Sequence, residues 1–534
     1  YKGSSATHKS VTVNLTGEMS DVVYAAGQAM HGGWITVENG VTVNVDGGSI
    51  GSDGLMGGGF TRSDISETDT AGGITISGGP WINFSAGDIS AIYGGTHTYS
   101  LSGQLEAVSN ITGGTHIAMT GGTAGNVQGG GYTAWGSKSV IDSTEVNISG
   151  GTVLYDVQGG SYVVGGGKDT ASGNSSTITG DATVRISGDA VIQGNVIGGG
   201  WVNWATGTAA STIGGVSTVS VEGGTIHGDV IGGGVAVAHT YDAASSVLKS
   251  ESAQTVVTLT GGTVKGNVYG GGYAEDAYGK GSAVSSDASG SSVTVAGATV
   301  EGDIYAGGFA SGENTTSTVT GNVAVTISSG TIKGDVYGGS KGGTVNGDSV
   351  ITISGGTFDP AKGIYGSDSV KGSSLLNFTN TEALEVGTVS GFDSVTLGAG
   401  DVKFNAIESE EVNFGGSLSF EEVAEGGITV QKNGTEVMLA AGRKNISSVK
   451  SEDVEIGSMG RNGQLTGVEQ LVLQKGNELA VTDLTIYGGS SLTITLGSTF
   501  SFAGTVDLVD SGFVLNGGNS YLYGAAAVTV DLSG

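Results

Sequence analysis

The chain has 534 residues, of which 104 are glycine and two are proline, and it carries no cysteine. Against 20 basic residues stand 50 acidic ones, a formal charge of −30; this excludes phosphate neutralisation by clustered Lys and Arg, and so nucleic-acid binding, and it disfavours anionic membrane surfaces. Hydrophobic residues still make up 37%, which argues for a buried core and against a disordered chain, while the lack of cysteine excludes disulfides and thiolate metal sites.

The first residues, YKGSSATHKS, lack the basic-then-apolar pattern of a signal peptide, so the chain reads as a mature product or an excised fragment. Residues 1–40 read as an N-terminal capping segment. From Val41 to Gly366 one block recurs about ten times, and such self-similarity governs the fold. Degenerate copies start at Gly47 (GGSIGSDGLMGGG) and Ser85 (SAGDISAIYGG). Fuller ones follow at Gly121 (GGTAGNVQGGG), Gly150, Gly188, Gly223, Gly261 (GGTVKGNVYGGGY), Gly297, Ser329 and Gly355. Thr225, Thr263, Thr299, Thr331 and Thr357 lie 38, 36, 32 and 26 residues apart; an invariant block at an irregular period means one rung plus a connection of variable length. Residues Ala190 to Val221 carry no charge, yet Gln, Asn, Thr, Ser and Gly interrupt them too often for a membrane-spanning helix.

Before each block, apolar residues alternate with small polar ones, as at Val219 and Val221, Val257 and Leu259, or Val325 and Ile327, which is the period of a half-buried strand. Three strands per unit, of about three to five residues each, are too short to close a core alone. Stacked at about 4.8 Å they can, and the predicted fold is all-β, a parallel β-helix or β-solenoid with variable loops on one edge. A sandwich of hairpins needs longer strands and is the rival. Glycine then serves at corners, where rungs approach closely. Residues 367–534 have less glycine and more charge and read as a continuation with shorter coils, giving a rod on the order of 80 Å.

Excursions follow the glycine triplets, and an aromatic residue opens several of them: Phe60, Tyr132, Trp201, Tyr273 and Phe309. This loop edge is the predicted partner-binding edge. A second aromatic ladder holds Tyr93, Tyr269, Tyr305, Tyr337 and Tyr365; packing of the rings on one another explains both ladders, with a sugar platform as the functional alternative. A third ladder, Asn126, Asp156, Asn195, Asp229, Asn267, Asp303 and Asp335, suits corners, since both residue types bond backbone at turns. Calcium between successive carboxylates, Asp303 and Asp335 above all, is the alternative to a fold without cofactor or metal.

No catalytic set emerges. Ser49 in GGSIG occupies the repeat threonine position, Gly347-Asp348-Ser349 continues into Val350, and His227 is replaced by Lys265 and Glu301 in later units, which marks a solvated place. Neither Glu410 with Glu411 nor Glu421 with Glu422 faces one side of a strand. The strings GGTVKGNVYGGG, SGTIKGDVYGGS and ITISGGTFDPAKGIYG resemble the Gly-, Thr- and Asn-rich repeats of Gram-negative autotransporter passenger regions and related surface proteins. The resemblance implies a right-handed coil, export to the extracellular bacterial outer-membrane surface, and adhesion, self-association or biofilm formation without catalysis, the partner being another copy, a host glycan or a surface protein, with no membrane insertion of this segment. A polysaccharide-degrading enzyme on the same scaffold is the alternative.

Overall fold

The structure is a computed structural model that describes residues 4–51, 54–63, 72–100, 106–165, 173–203, 207–238, 247–277 and 282–379, the backbone of the strands from Thr381 onward, and side chains of that last part no further than Thr396. It is an all-β, parallel β-solenoid of about eight turns, with no helix among the described residues. Two compact units divide the chain, one formed by Tyr1–Val323 with Gly339–Gly347 and the other by Ala324–Gly338 with Asp348–Gly534.

One rung of the first unit shows how the repeat is spent. Val247–Ser252 lies in register on Ala283–Ala288, Thr255–Val264 on Ser291–Val300, Val268–Tyr269 on Ile304–Tyr305, and Tyr273–Glu275 on Phe309–Ser311. The inward side chains Leu248, Val257, Leu259, Val264, Val268 and Ala274 are all fully buried, and each large one stabilises the rung by about 1.5–3 kcal/mol. The same pairing starts early, with Ser5–His8 on Trp34–Val37 and Val11–Leu15 on Val41–Val45.

The strands differ from the sequence reading in number and length. Rungs have four or five segments, and in two rungs the first three fuse into one bent strand, Thr208–Ile226 with 19 residues and Val247–Val264 with 18. Register slips near Gly214 and Gly215 and again near Gly223 and Gly224 let the backbone turn without leaving the ladder, as β-bulges do. The glycine triplets form their own rung-to-rung ladder: Gly233 N–H donates to Gly271 O at 2.9 Å and Gly271 N–H to Gly307 O at 3.0 Å. Across the interior, buried hydroxyls of the next segment answer the corner carbonyls, with Thr144 donating to Gly159 O and Ser217 to Gly232 O, both at 2.7 Å.

In the second unit Thr331 pairs with Thr357, Val336 with Ile364, and Ser349–Ile353 with Ser374–Phe378, all parallel. Parallel pairing continues from Thr381–Leu397 to Gly400–Phe420. Leu418–Phe420, Ile428–Lys432 and Thr435–Leu439 then pair antiparallel, before parallel pairing resumes at Asp453–Ile456 with Asp483–Ile486.

Candidate functional site: an aromatic seam

Alternation along Val268, Tyr269, Gly270, Gly271, Gly272, Tyr273 and Ala274 puts both tyrosines outside while Val268 and Ala274 are buried inside. The two rings nevertheless meet, edge to face at 6.1 Å, so the outer surface is re-entrant at the glycine triplet. Stacking repeats this corner along the first unit and creates two facing columns. The inner column runs Tyr24, Met56, Tyr93, Gln128, Gln158, Ile197, Ile231, Tyr269, Tyr305. The outer column runs Gln28, Phe60, His97, Tyr132, Tyr162, Trp201, Val235, Tyr273, Phe309 and belongs to a nine-stranded parallel sheet.

Although its side chains leave the solenoid, the inner column is covered from Gln128 to Tyr305: Ile197 is fully buried, and Tyr269 and Gln158 are each 2% exposed, while Tyr24 and Tyr93 are partly buried. The outer column half-covers it, so the seam is a second apolar core on the outside of the coil. Tyr269 stacks on Tyr305 at 5.2 Å and Tyr273 on Phe309 at 4.4 Å, while His97 meets Tyr132 edge-on at 4.6 Å. Such ring pairs contribute about 0.5–1.5 kcal/mol beyond area burial. In the second unit Tyr337 and Tyr365 stack likewise at 5.3 Å.

Phe60, Tyr132, Trp201, Tyr273 and Phe309 thus come together in one column, but they begin strands rather than loops. The reason is that three or four residues beyond each glycine triplet still pair with the next rung. Most of the variable stretches that follow, residues 64–71, 101–105, 166–172, 204–206, 239–246 and 278–281, lie outside the described residues. Sequence reading missed His97 and Tyr162 because Thr96 and Ser161 replace the third glycine; the signal was an aromatic ring four places after the Tyr93 or Gln158 position.

Burial lowers the His97 pKa to about 4 and raises Tyr162, Tyr269 and Tyr273 above the usual phenol range, so the seam side chains of these rungs are uncharged at neutral pH. Several polar atoms within the columns have no hydrogen-bond partner: His97 Nδ1, Gln128 Oε1, Gln158 Oε1 and Trp201 Nε1. Each such group costs about 1–3 kcal/mol.

The Asn and Asp ladder is built into the stack. Asp156 Oδ1 accepts the Asn195 N–H at 2.7 Å, Asn195 Oδ1 the Asp229 N–H at 2.8 Å, Asp229 Oδ1 the Asn267 N–H at 2.7 Å, and Asn267 Oδ1 the Asp303 N–H at 3.0 Å. Burial raises the carboxyl pKa values of Asp156 and Asp229, and the Asn between two Asp keeps like charges apart. Asp303 accepts the Tyr305 hydroxyl at 3.1 Å; Asp335 accepts the Gly363 N–H at 2.8 Å and pairs with Lys362 at 3.6 Å. Among the described residues no three acidic or His side chains are grouped to hold a metal ion. His227 is exposed, with Lys265 Nζ 3.5 Å from its Nδ1. Glu421 and Glu422 lie outside the described residues, as do the side chains of Glu410 and Glu411.

A cleft of about 530 Å³ opens on another face, lined by Thr212, Glu251, Ser252, Asp287, Thr318 and Thr320 among others. Glu251 and Asp287 stand side by side on adjacent rungs. Burial, and to a smaller extent the Glu251 charge, raises the Asp287 pKa, while the Thr318 N–H bonded to Oδ1 opposes the rise.

No family model matches the chain, and no curated protein and no solved structure matches it.

Proposed function

We propose that the protein is a non-enzymatic extracellular rod of a bacterial outer surface, acting in adhesion, self-association or biofilm structure, and that it engages its partner with the aromatic seam. The observation that carries this reading is the outer column, in which half-exposed rings repeat on rung after rung, uncharged and held by the scaffold itself. The passenger-like repeats support the surface location, and the acidic charge of −30 keeps such a rod soluble. Adhesion and aggregation of cells displaying the chain should fall at least tenfold when Tyr132, Trp201 and Tyr273 are replaced by Ser together. The same replacement at Trp81, an exposed ring on another face, should leave both unchanged. Equal adhesion by the two variants would remove the seam from the function.

The cleft of Glu251 and Asp287 favours a second reading, a polysaccharide-degrading enzyme, because glycoside hydrolysis uses a pair of carboxyl groups, one of them raised as that of Asp287 is. Reducing-end release from mixed polysaccharides that disappears in Asp287→Asn would establish it and displace the first.

A further inference from the structure

We propose that the stretch of the seam from Tyr93 to Trp201 binds a neutral oligosaccharide lying along the solenoid axis, one sugar residue to a rung. This rests on the reading of the seam as the partner-binding face and names the partner's chemistry.

Gln128 and Gln158 sit on consecutive rungs, in the column where other rungs place Met56, Ile197, Ile231 and Tyr269. They are 3% and 2% exposed, and neither Oε1 has a partner. Two buried amides with unpartnered carbonyl oxygens do nothing for the stack that Ile, as at Ile197 and Ile231, would not do better. On the next rung, Trp201 Nε1 and Asn203 Oδ1 are also buried without partners, while Asn203 Nδ2 donates to the Tyr162 hydroxyl at 3.2 Å. Among the described residues, unpartnered buried atoms in the seam are confined to the rungs from His97 to Asn203; the columns from Val235 to Phe309 have none.

Ring packing is uneven over the same rungs, with His97 edge-on to Tyr132 at 4.6 Å. Tyr132 and Tyr162 are 5.5 Å apart and tilted by 41°, and Tyr162 and Trp201 are 6.5 Å apart at 62°; Tyr273 and Phe309 stack at 4.4 Å and 19°. On this proposal the partly exposed rings part on binding and expose the amides beneath. What they then offer is three carbonyl acceptors, one indole donor and flat apolar faces. Sugar hydroxyls both donate and accept, and the C–H face of a pyranose packs on a ring. Rungs recur at about 4.8 Å, a step that suits successive residues of an extended sugar chain. Charge selects a neutral ligand: Asp156 lies two residues before Gln158, and the chain carries −30 overall, so an anionic glycan is repelled.

Titration calorimetry on the full chain tests this with neutral hexasaccharides of glucose, mannose, galactose, xylose and N-acetylglucosamine, and with a heparin hexasaccharide as the anionic probe. The expected result is binding of at least one neutral probe and not of heparin. The double variant Gln128→Leu, Gln158→Leu should melt higher than the wild type and bind at least tenfold more weakly; its raised Tm shows that lost binding is not lost folding. Trp81→Ala, an exposed ring on another face, should bind within twofold of wild type. Binding of heparin alone, of no neutral probe, or undiminished binding by the Leu pair overturns the assignment. If the Tyr132, Trp201, Tyr273 replacement abolishes adhesion while no sugar binds, the sugar assignment fails and the seam reading stands; if adhesion is also unchanged, both fail.

Discussion

Replacing Gly266 with Ala isolates the reason for the glycine content. A Cβ built there lies 2.4 Å from Gly228 O, 2.5 Å from Asp229 Oδ1 and 2.5 Å from Gly228 C, against 3.4–4 Å for an ordinary contact. Two of these are backbone atoms of the rung beneath, so relief requires the rungs to separate locally by about 1 Å, at a place where Lys265 N–H bonds Ile226 O at 2.8 Å and Asn267 N–H bonds Asp229 at 2.7 Å. Overpacking of this kind costs about 1–3 kcal/mol. Gly290→Ala is the matched control, because its Cβ meets only Asn322 O at 3.6 Å; it should be neutral or stabilise by up to about 1 kcal/mol through the unfolded chain. Stacked rungs open locally, so native-state hydrogen exchange at Lys265, Asn267 and Val268 is the assay, with urea unfolding followed by circular dichroism beside it. Exchange at these amides should quicken by roughly fivefold to a hundredfold in Gly266→Ala, the range that 1–3 kcal/mol implies. Equal protection in the two Ala variants would refute close rung approach as the cause.

Burial of His97 sets a pH response. Its folded pKa of about 4 lies below the free value of 6.5, so the unfolded state takes up the proton first and stability is lost as pH falls through that window, by up to about 3 kcal/mol. Urea midpoints at pH 7 and pH 4.5 should fall further apart in the wild type than in His97→Phe. Asp229 runs the other way: its carboxyl pKa is raised by burial, so the ionised group weighs against folding above that pKa. Asp229→Asn should melt higher than wild type at pH 7, the gain fading toward pH 4 as the native carboxyl takes up its proton. Asp229→Ala should lose about 1–3 kcal/mol at pH 7, because the Asn267 N–H is left unbonded.

Much of the fold was legible because stacking writes itself into sequence. Thr225, Thr263 and Thr299 recur because they occupy one ladder, and Asn267 alternates with Asp229 and Asp303 because a corner acceptor is needed on each rung while adjacent charges repel. The fusion of three segments into Thr208–Ile226 was not legible, since Gly214 and Gly215 look like an ordinary turn signal until their bulge is seen. The seam was half legible. Its rings were found from Tyr132 and Tyr273, but a re-entrant corner is a property of backbone direction at Gly270–Gly272, which no residue type announces. Gln128 and Gln158 escaped notice because a polar residue at an outward position reads as solvated, and only the facing column covers it.

The chain lacks cysteine, so introduced pairs report stacking without background. Thr263 and Thr299 are register partners on adjacent rungs, as are Thr225 and Thr263. Adjacent rungs, about 4.8 Å apart, fall within the disulfide range of about 4.4–6.8 Å between Cα atoms. Thr263→Cys with Thr299→Cys should oxidise to an intramolecular disulfide in the folded chain, while Thr225→Cys with Thr299→Cys, two rungs apart, should keep free thiols. Free thiols in the first pair, or a disulfide in the second, would contradict a single coil whose rungs lie directly on one another.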